Sequence, residues 1–222
     1  MKKNLVLIII SFVIVVLLSI FVFSQSTEEI LSKFPIFKDL YQNTSLTITS
    51  INGIAEISIN GTSYGETPLT LQELKEGQYE VTLKRTTTSE KETFYKEHSF
   101  AVDLYQNTES VINIEIGPDD SLAGYIIYYT PSPNTSANEG FMTITSNQID
   151  ATILIDDETM GRTPLDLAKV TEGEYKIKLS KKGYETVEIP IIIRQGFNLN
   201  INAQLLAIPT NLSKQTAPDV SE

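Results

Sequence analysis

The sequence predicts an all-β chain of two tandem small domains, preceded by one transmembrane helix. Three observations carry that reading. Gly65-Glu66-Thr67-Pro68-Leu69 returns as Gly161-Arg162-Thr163-Pro164-Leu165, and the offset of 96 residues holds without a gap from Thr47/Thr143 to Leu83/Leu179, with 16 identities in 37 paired positions. Self-similarity of this kind marks repeated modules. Around both copies apolar and polar residues alternate with period two, as half-buried strands require. Ahead of them, Leu5 to Phe23 carries no charge at all.

Length and charge bound the rest. A chain of 222 residues has room for two modules after a leader and connectors, each with its own modest core. With 17 Lys+Arg against 28 Asp+Glu, the net charge of −11 repels phosphate backbones and anionic lipid, so no nucleic acid is expected as a partner. The absence of cysteine excludes disulfides, thiolate nucleophiles and thiolate metal sites. A catalytic triad or His-rich metal centre would have to rest on the single histidine, His98, which lies in the polar stretch Tyr95-Lys96-Glu97-His98-Ser99 and reads as an ordinary strand or loop residue.

Residues 1–24 form the membrane segment. As a helix, Leu5 to Phe23 reaches roughly 28 Å, close to the hydrocarbon thickness of a bilayer. Lys2 and Lys3 before it, and Glu28 and Glu29 after it, favour a cytoplasmic N-terminus with the C-terminal domains extracytoplasmic, a single-pass anchor. Val22-Phe23-Ser24 loosely fits a small-x-small cleavage pattern, which would make the protein secreted; the apolar run is longer than a signal peptide prefers, which favours retention. Residues 25–44 read as a juxtamembrane stalk, with a short capped helix ending at Pro35.

The first domain spans 45–118. Leu46 to Ser50 and Glu56 to Ile59 alternate, and Asn60-Gly61 suits a tight hairpin turn. Gly65 permits a backbone conformation that a Cβ opposes, and Pro68 holds Thr67 extended, so a kink is expected there. Leu69 and Leu71 point to the core, as do Tyr79, Val81 and Leu83 after the Lys75-Glu76-Gly77 turn. Lys84 to Glu97 is a polar excursion; Phe100 to Val102 and Val111 to Ile116 supply the closing strands.

Residues 119–140 read as a linker. Tyr125-Ile126-Ile127-Tyr128-Tyr129 within it forms either a strand or interdomain contact that buries the rings, or an exposed stacking site for sugars or peptide in a partner, through Tyr125, Tyr128 and Tyr129. The second domain, 141–206, repeats the first more tidily, with Lys181 to Glu185 as a compact turn in place of the excursion. Residues 207–222 are a polar tail, expected to be disordered.

Taken together, Gly65-x-Thr67-Pro68-Leu69, Glu76-Gly77-x-Tyr79, their partners Gly161, Thr163, Pro164, Leu165, Gly173 and Tyr175, and the following Lys182-Gly183-Tyr184 resemble the PEGA domain family. The first copy departs from the pattern in lacking the Lys-Gly-Tyr turn. The resemblance implies small β-sandwiches, compared with immunoglobulin-like or prealbumin-like folds, in exported or membrane-anchored prokaryotic surface proteins. It brings no catalytic residues, and the shared Gly, Pro and Tyr positions are architectural.

Candidate chemistry is sparse. Asp156-Asp157-Glu158 is the best metal candidate, since three carboxylates offer oxygen ligands to calcium, yet it occupies the place of the Asn60-Gly61 turn. Ser180-Lys181-Lys182-Gly183 reads as a turn rather than a Ser/Lys nucleophile. No cofactor is expected. The sequence thus favours a membrane-anchored, extracytoplasmic and non-catalytic module of the cell envelope, held by Leu5 to Phe23 and contacting an envelope protein or polysaccharide. Its alternative is a carbohydrate-binding surface module, and an enzyme ranks last.

Overall fold

The computed structural model describes residues 44–86, 95–118, 120–132 and 138–208. The expected membrane segment, the stalk as far as residue 43, the middle of the 84–97 excursion and the tail from 209 lie outside the described residues. Among the described residues no helix is long and apolar enough to cross a membrane.

The first domain contributes β1 (Ser45–Thr49), β2 (Ala55–Ile59), β3 (Thr62–Glu66), β4 (Leu69–Leu71), β5 (Gly77–Arg85), β6 (His98–Leu104) and β7 (Glu109–Ile116). Its seven strands recur in order in the second domain as β9 (Glu139–Ser146), β10 (Thr152–Ile155), β11 (Glu158–Arg162), β12 (Leu165–Thr171), β13 (Gly173–Ser180), β14 (Val187–Ile193) and β15 (Phe197–Gln204). Between the two sets lies β8 (Leu122–Pro131). The first domain begins at Thr44, which is fully buried and accepts the Leu74 N–H at 3.1 Å.

Each domain has its own four-stranded sheet, β3-β2-β5-β6 in the first and β11-β10-β13-β14 in the second. The remaining strands form one continuous seven-stranded sheet in the order β12-β9-β15-β8-β7-β1-β4. That order is symmetric about β8: β15 stands to β9 and β12 as β7 stands to β1 and β4. Strand β8 runs antiparallel to both β7 and β15, while β7 is parallel to β1 and β15 to β9.

The segment expected as a linker therefore contains the central strand of the sheet. Its composition explains why. A strand paired on both sides and covered on both faces loses the polar alternation of a half-solvated one and reads as a nearly continuous apolar run. Successive side chains of β8 point to opposite faces. Ile127 and Tyr129 enter the core of the second domain, with Tyr125 packed against it, whereas Ile126 enters the core of the first, with Tyr128 and Leu122 against it. The two cores consequently lie on opposite faces of the shared sheet. Each core is sandwiched between one four-stranded sheet and its half of the seven-stranded one.

Gly124 secures the junction. It sits in the ladder between Ile114 and Gln204 at φ +120°, where an added Cβ would lie 2.0 Å from the Asn113 carbonyl oxygen. No side chain fits there. At the C-terminal end, Ala207 bridges Tyr184, and the Ile208 N–H donates to the Gly183 carbonyl at 2.9 Å, so the polar tail begins only after the chain has docked on the compact turn.

Candidate functional site

The repeated motif builds the same corner twice. Ile57 pairs with Gly65 and Ser58 with Ser63, leaving Tyr64 as the extra residue of a bulge; Ile153, Gly161, Leu154 and Thr159 do likewise around Met160. The kink at Pro68 and at Pro164 is a cis peptide bond in both copies. Thr67 and Thr163 are buried, and each closes a two-way exchange with the start of the neighbouring strand. The Thr67 N–H donates to the Ala55 carbonyl at 2.9 Å and its Oγ1 accepts the Ala55 N–H at 3.0 Å; Thr163 and Ala151 repeat both bonds at the same distances. Leu69 and Leu165 pack on their respective cores. After Gly77 and Gly173, the phenols of Tyr79 and Tyr175 donate to the Lys75 and Thr171 carbonyls, each at 3.0 Å. These residues are all committed to holding the chain.

The carboxylate cluster is likewise accounted for. Asp156 and Asp157 occupy the β10–β11 turn at φ 46° and 66°, matching Asn60 and Gly61 at 49° and 76°. Asp156 Oδ1 accepts the Lys176 N–H at 2.9 Å, just as Asn60 Oδ1 accepts that of Glu80 at 2.9 Å. Among the described residues no three His, Cys, Asp or Glu side chains come together as a metal site.

The tyrosines of β8 part company. Tyr129 is 5 % exposed; its phenol donates to the Ile192 carbonyl at 2.6 Å, and its ring meets Phe197 edge-on at 6.0 Å and carries the Arg194 guanidinium at 5.2 Å. Arg194 also donates to the Asn107 carbonyl of the first domain at 3.0 Å, tying the two modules together. Burial pushes the Tyr129 phenol up, with Arg194 opposing it. Tyr125 is half-buried against the second core. Tyr128, half-buried on the other face, lines a cleft.

That cleft, about 310 Å³, lies between the two modules. Its wall is β6, the edge strand of the first domain's own sheet, through Ser99, Phe100 and Ala101. Its floor is the face of the second domain's half-sheet turned away from that domain's core. Register sets the floor in rows: Tyr128 beside Asn200 beside Thr143, then Ile126 beside Asn202 beside Thr145, with Gln204 continuing along β15. The floor is internally bonded. Asn200 Nδ2 donates to Thr130 Oγ1 at 2.9 Å, Asn198 Nδ2 to Asn200 Oδ1 at 3.0 Å and Gln204 Nε2 to Asn202 Oδ1 at 2.6 Å. None of the lining side chains carries a charge.

His98 sits at the start of the same wall strand, its ring stacked 6.5 Å from Phe100 and its Nε2 buried without a hydrogen-bond partner among the described residues. Burial lowers its pKa, opposed by Asp120 and assisted by Lys96.

The sequence points to Tyr128 but not to the amide row of β15. The available signal was Asn198, Asn200, Asn202 and Gln204 at alternate positions, because Asn is depleted from strands unless something rewards it. No curated protein matches the chain. The PEGA domain family model matches it twice, at residues 43–117 and 139–208, so β8 falls between the matches while all fourteen other strands fall within them. The chain belongs to the PEGA domain family, as two tandem copies joined by a strand of its own.

Proposed function

We propose that this protein is a membrane-anchored, extracytoplasmic module of the cell envelope that acts by binding and bracing, not by catalysis. One observation carries the reading most of the way. Strand β8 pairs with both modules and buries alternate side chains in both cores, which makes two repeats into one stiff body. Flexible tethers suit tandem domains that act independently; a shared central strand suits an arm that holds a fixed surface at a fixed distance from its anchor. The apolar, charge-free Leu5 to Phe23 behind two lysines supplies the anchor and the orientation.

Topology is directly testable because the chain has no cysteine. Ser63, exposed on β3, is replaced by Cys, and spheroplasts are treated with a membrane-impermeant maleimide. Labelling of intact spheroplasts supports the reading; labelling only after lysis sinks it.

A further inference from the structure

We propose that the cleft between β6 and the β15/β9 floor binds a neutral glycan chain. The inference deepens the reading above by naming a ligand class for the module.

The internal repeat separates scaffold from site. A structural twin of the floor exists on the opposite face, where register places Glu109, Val111, Asn113 and Glu115 of β7 beside Ser45, Thr47 and Thr49 of β1. Threonines recur at Thr47/Thr143 and Thr49/Thr145, so they belong to the fold. The strand beside them recurs at one position, Asn113 matching Asn202, and differs at the others: β15 presents Asn198, Asn200 and Gln204 where β7 presents Glu109, Val111 and Glu115. Four uncharged amides at alternate positions of a central strand run against strand propensity, and packing does not repay them, since they face away from the second core.

The chemistry of this face selects among ligands. Amides and hydroxyls both donate and accept, which matches sugar hydroxyls that do the same. The bonds within the floor orient the amides, yet the Asn202 Nδ2 and Gln204 Oε1 groups have no partner among the described residues. Tyr128 adds an aromatic surface at the side of the row, of the kind that buries apolar ring faces. An anionic polymer calls for Arg or Lys, and the lining has neither. A peptide added to the β6 edge calls for apolar pockets beneath alternate side chains, and the floor there is amide instead. From Asn200 to Gln204 the floor runs about 14 Å along β15, room for a short run of sugar rings.

Affinity electrophoresis of the detergent-solubilised full chain tests this, with gels containing a neutral glucan, a neutral mannan or soluble chitin oligomers, and polygalacturonate as the charged contrast. Retardation by at least one neutral glycan is expected, weakened at least tenfold in Asn200→Ala/Asn202→Ala and in Tyr128→Ala. Thr49→Ala/Asn113→Ala, on the twin floor, should bind as the parent does, and circular dichroism confirms that each variant is folded. Absence of retardation by every neutral polymer, equal loss in the twin-floor variant, or preference for polygalacturonate would each overturn the proposal. Because binding is read on purified protein, such a failure leaves the membrane topology untouched, and the maleimide result decides that separately.

Discussion

Tyr128 and Tyr129 are neighbours in sequence, yet they pack against the cores of different domains, one on each face of the shared sheet. From that follows a prediction about cooperativity. Domains joined by a tether unfold separately, whereas domains sharing a central strand cannot lose one core without stripping a face from the other. Calorimetry of the full chain should show one transition for the two modules. Ile126→Ala and Ile127→Ala, both at buried positions, should each cost about 2–5 kcal/mol and shift that same transition. Two separated peaks, each responding to only one of the variants, would show that β8 does not couple the domains.

A finer test isolates the phenol of Tyr129. Its bond to the Ile192 carbonyl is 2.6 Å long and largely shielded from water. Tyr129→Phe keeps the ring contacts with Phe197 and Arg194 and removes only that bond, so a loss of about 1 kcal/mol is expected in denaturant titration. Tyr128→Phe, whose phenol makes no hydrogen bond among the described residues, should change stability by less.

The twin threonines predict unequal costs. Replacing Thr67 or Thr163 with Val removes the hydroxyl oxygen that accepts a buried N–H, that of Ala55 or Ala151, at about 1–3 kcal/mol each. Thr163 also donates to the Gln148 carbonyl at 2.7 Å, so Thr163→Val should be the more costly. Chemical denaturation of the two variants side by side decides it, and equal losses would mean the Gln148 bond contributes nothing.

How much of this was legible beforehand follows from how local each cause is. The Gly-x-Thr-Pro-Leu corner and the Asn60-Gly61 turn were readable because backbone geometry dictates the residue types within a few positions. Even so, identity did not guarantee environment: Leu71 packs on the first core, while its counterpart Leu167 is 54 % exposed at φ 48° beside a bulge in the longer strand β12. The role of Tyr125 to Tyr129 was only half readable. A short apolar run says that something covers both faces, but not that two domains share it. The cleft was unreadable, since its wall and floor come from β6, β8, β9 and β15, and only tertiary register sets Asn200 beside Tyr128 and Thr143.

The carboxylate turn yields a prediction from borrowing one copy's residue for the other. Asp157 holds φ 66° where the first domain has Gly61, and a Cβ is disfavoured in that region. Asp157→Gly should raise stability by about 0.5–1 kcal/mol, and added calcium should shift the melting temperature of neither parent nor variant, since Asp156 is already bonded to the Lys176 N–H. A calcium-dependent rise in the parent that the variant lacks would reinstate the metal site.

His98 supplies the pH dependence, and the sign is fixed by burial. Its pKa is lowered from 6.5, chiefly because burial leaves the charged imidazolium poorly solvated, against the pull of Asp120. A base with a folded-state pKa below its unfolded value takes up protons more readily unfolded. Its contribution to the pH dependence is therefore flat above about pH 6.5 and becomes destabilising as pH falls through 6.5 toward the folded value. Between pH 7.5 and 5.5 the parent should lose more thermal stability than His98→Gln, the carboxylates being common to both. As the only histidine in the chain, its ring protons can be followed by NMR without assignment. Their midpoint should lie below 6.5; a midpoint above it would mean that the carboxylate of Asp120 outweighs burial, and the pH trend would then reverse.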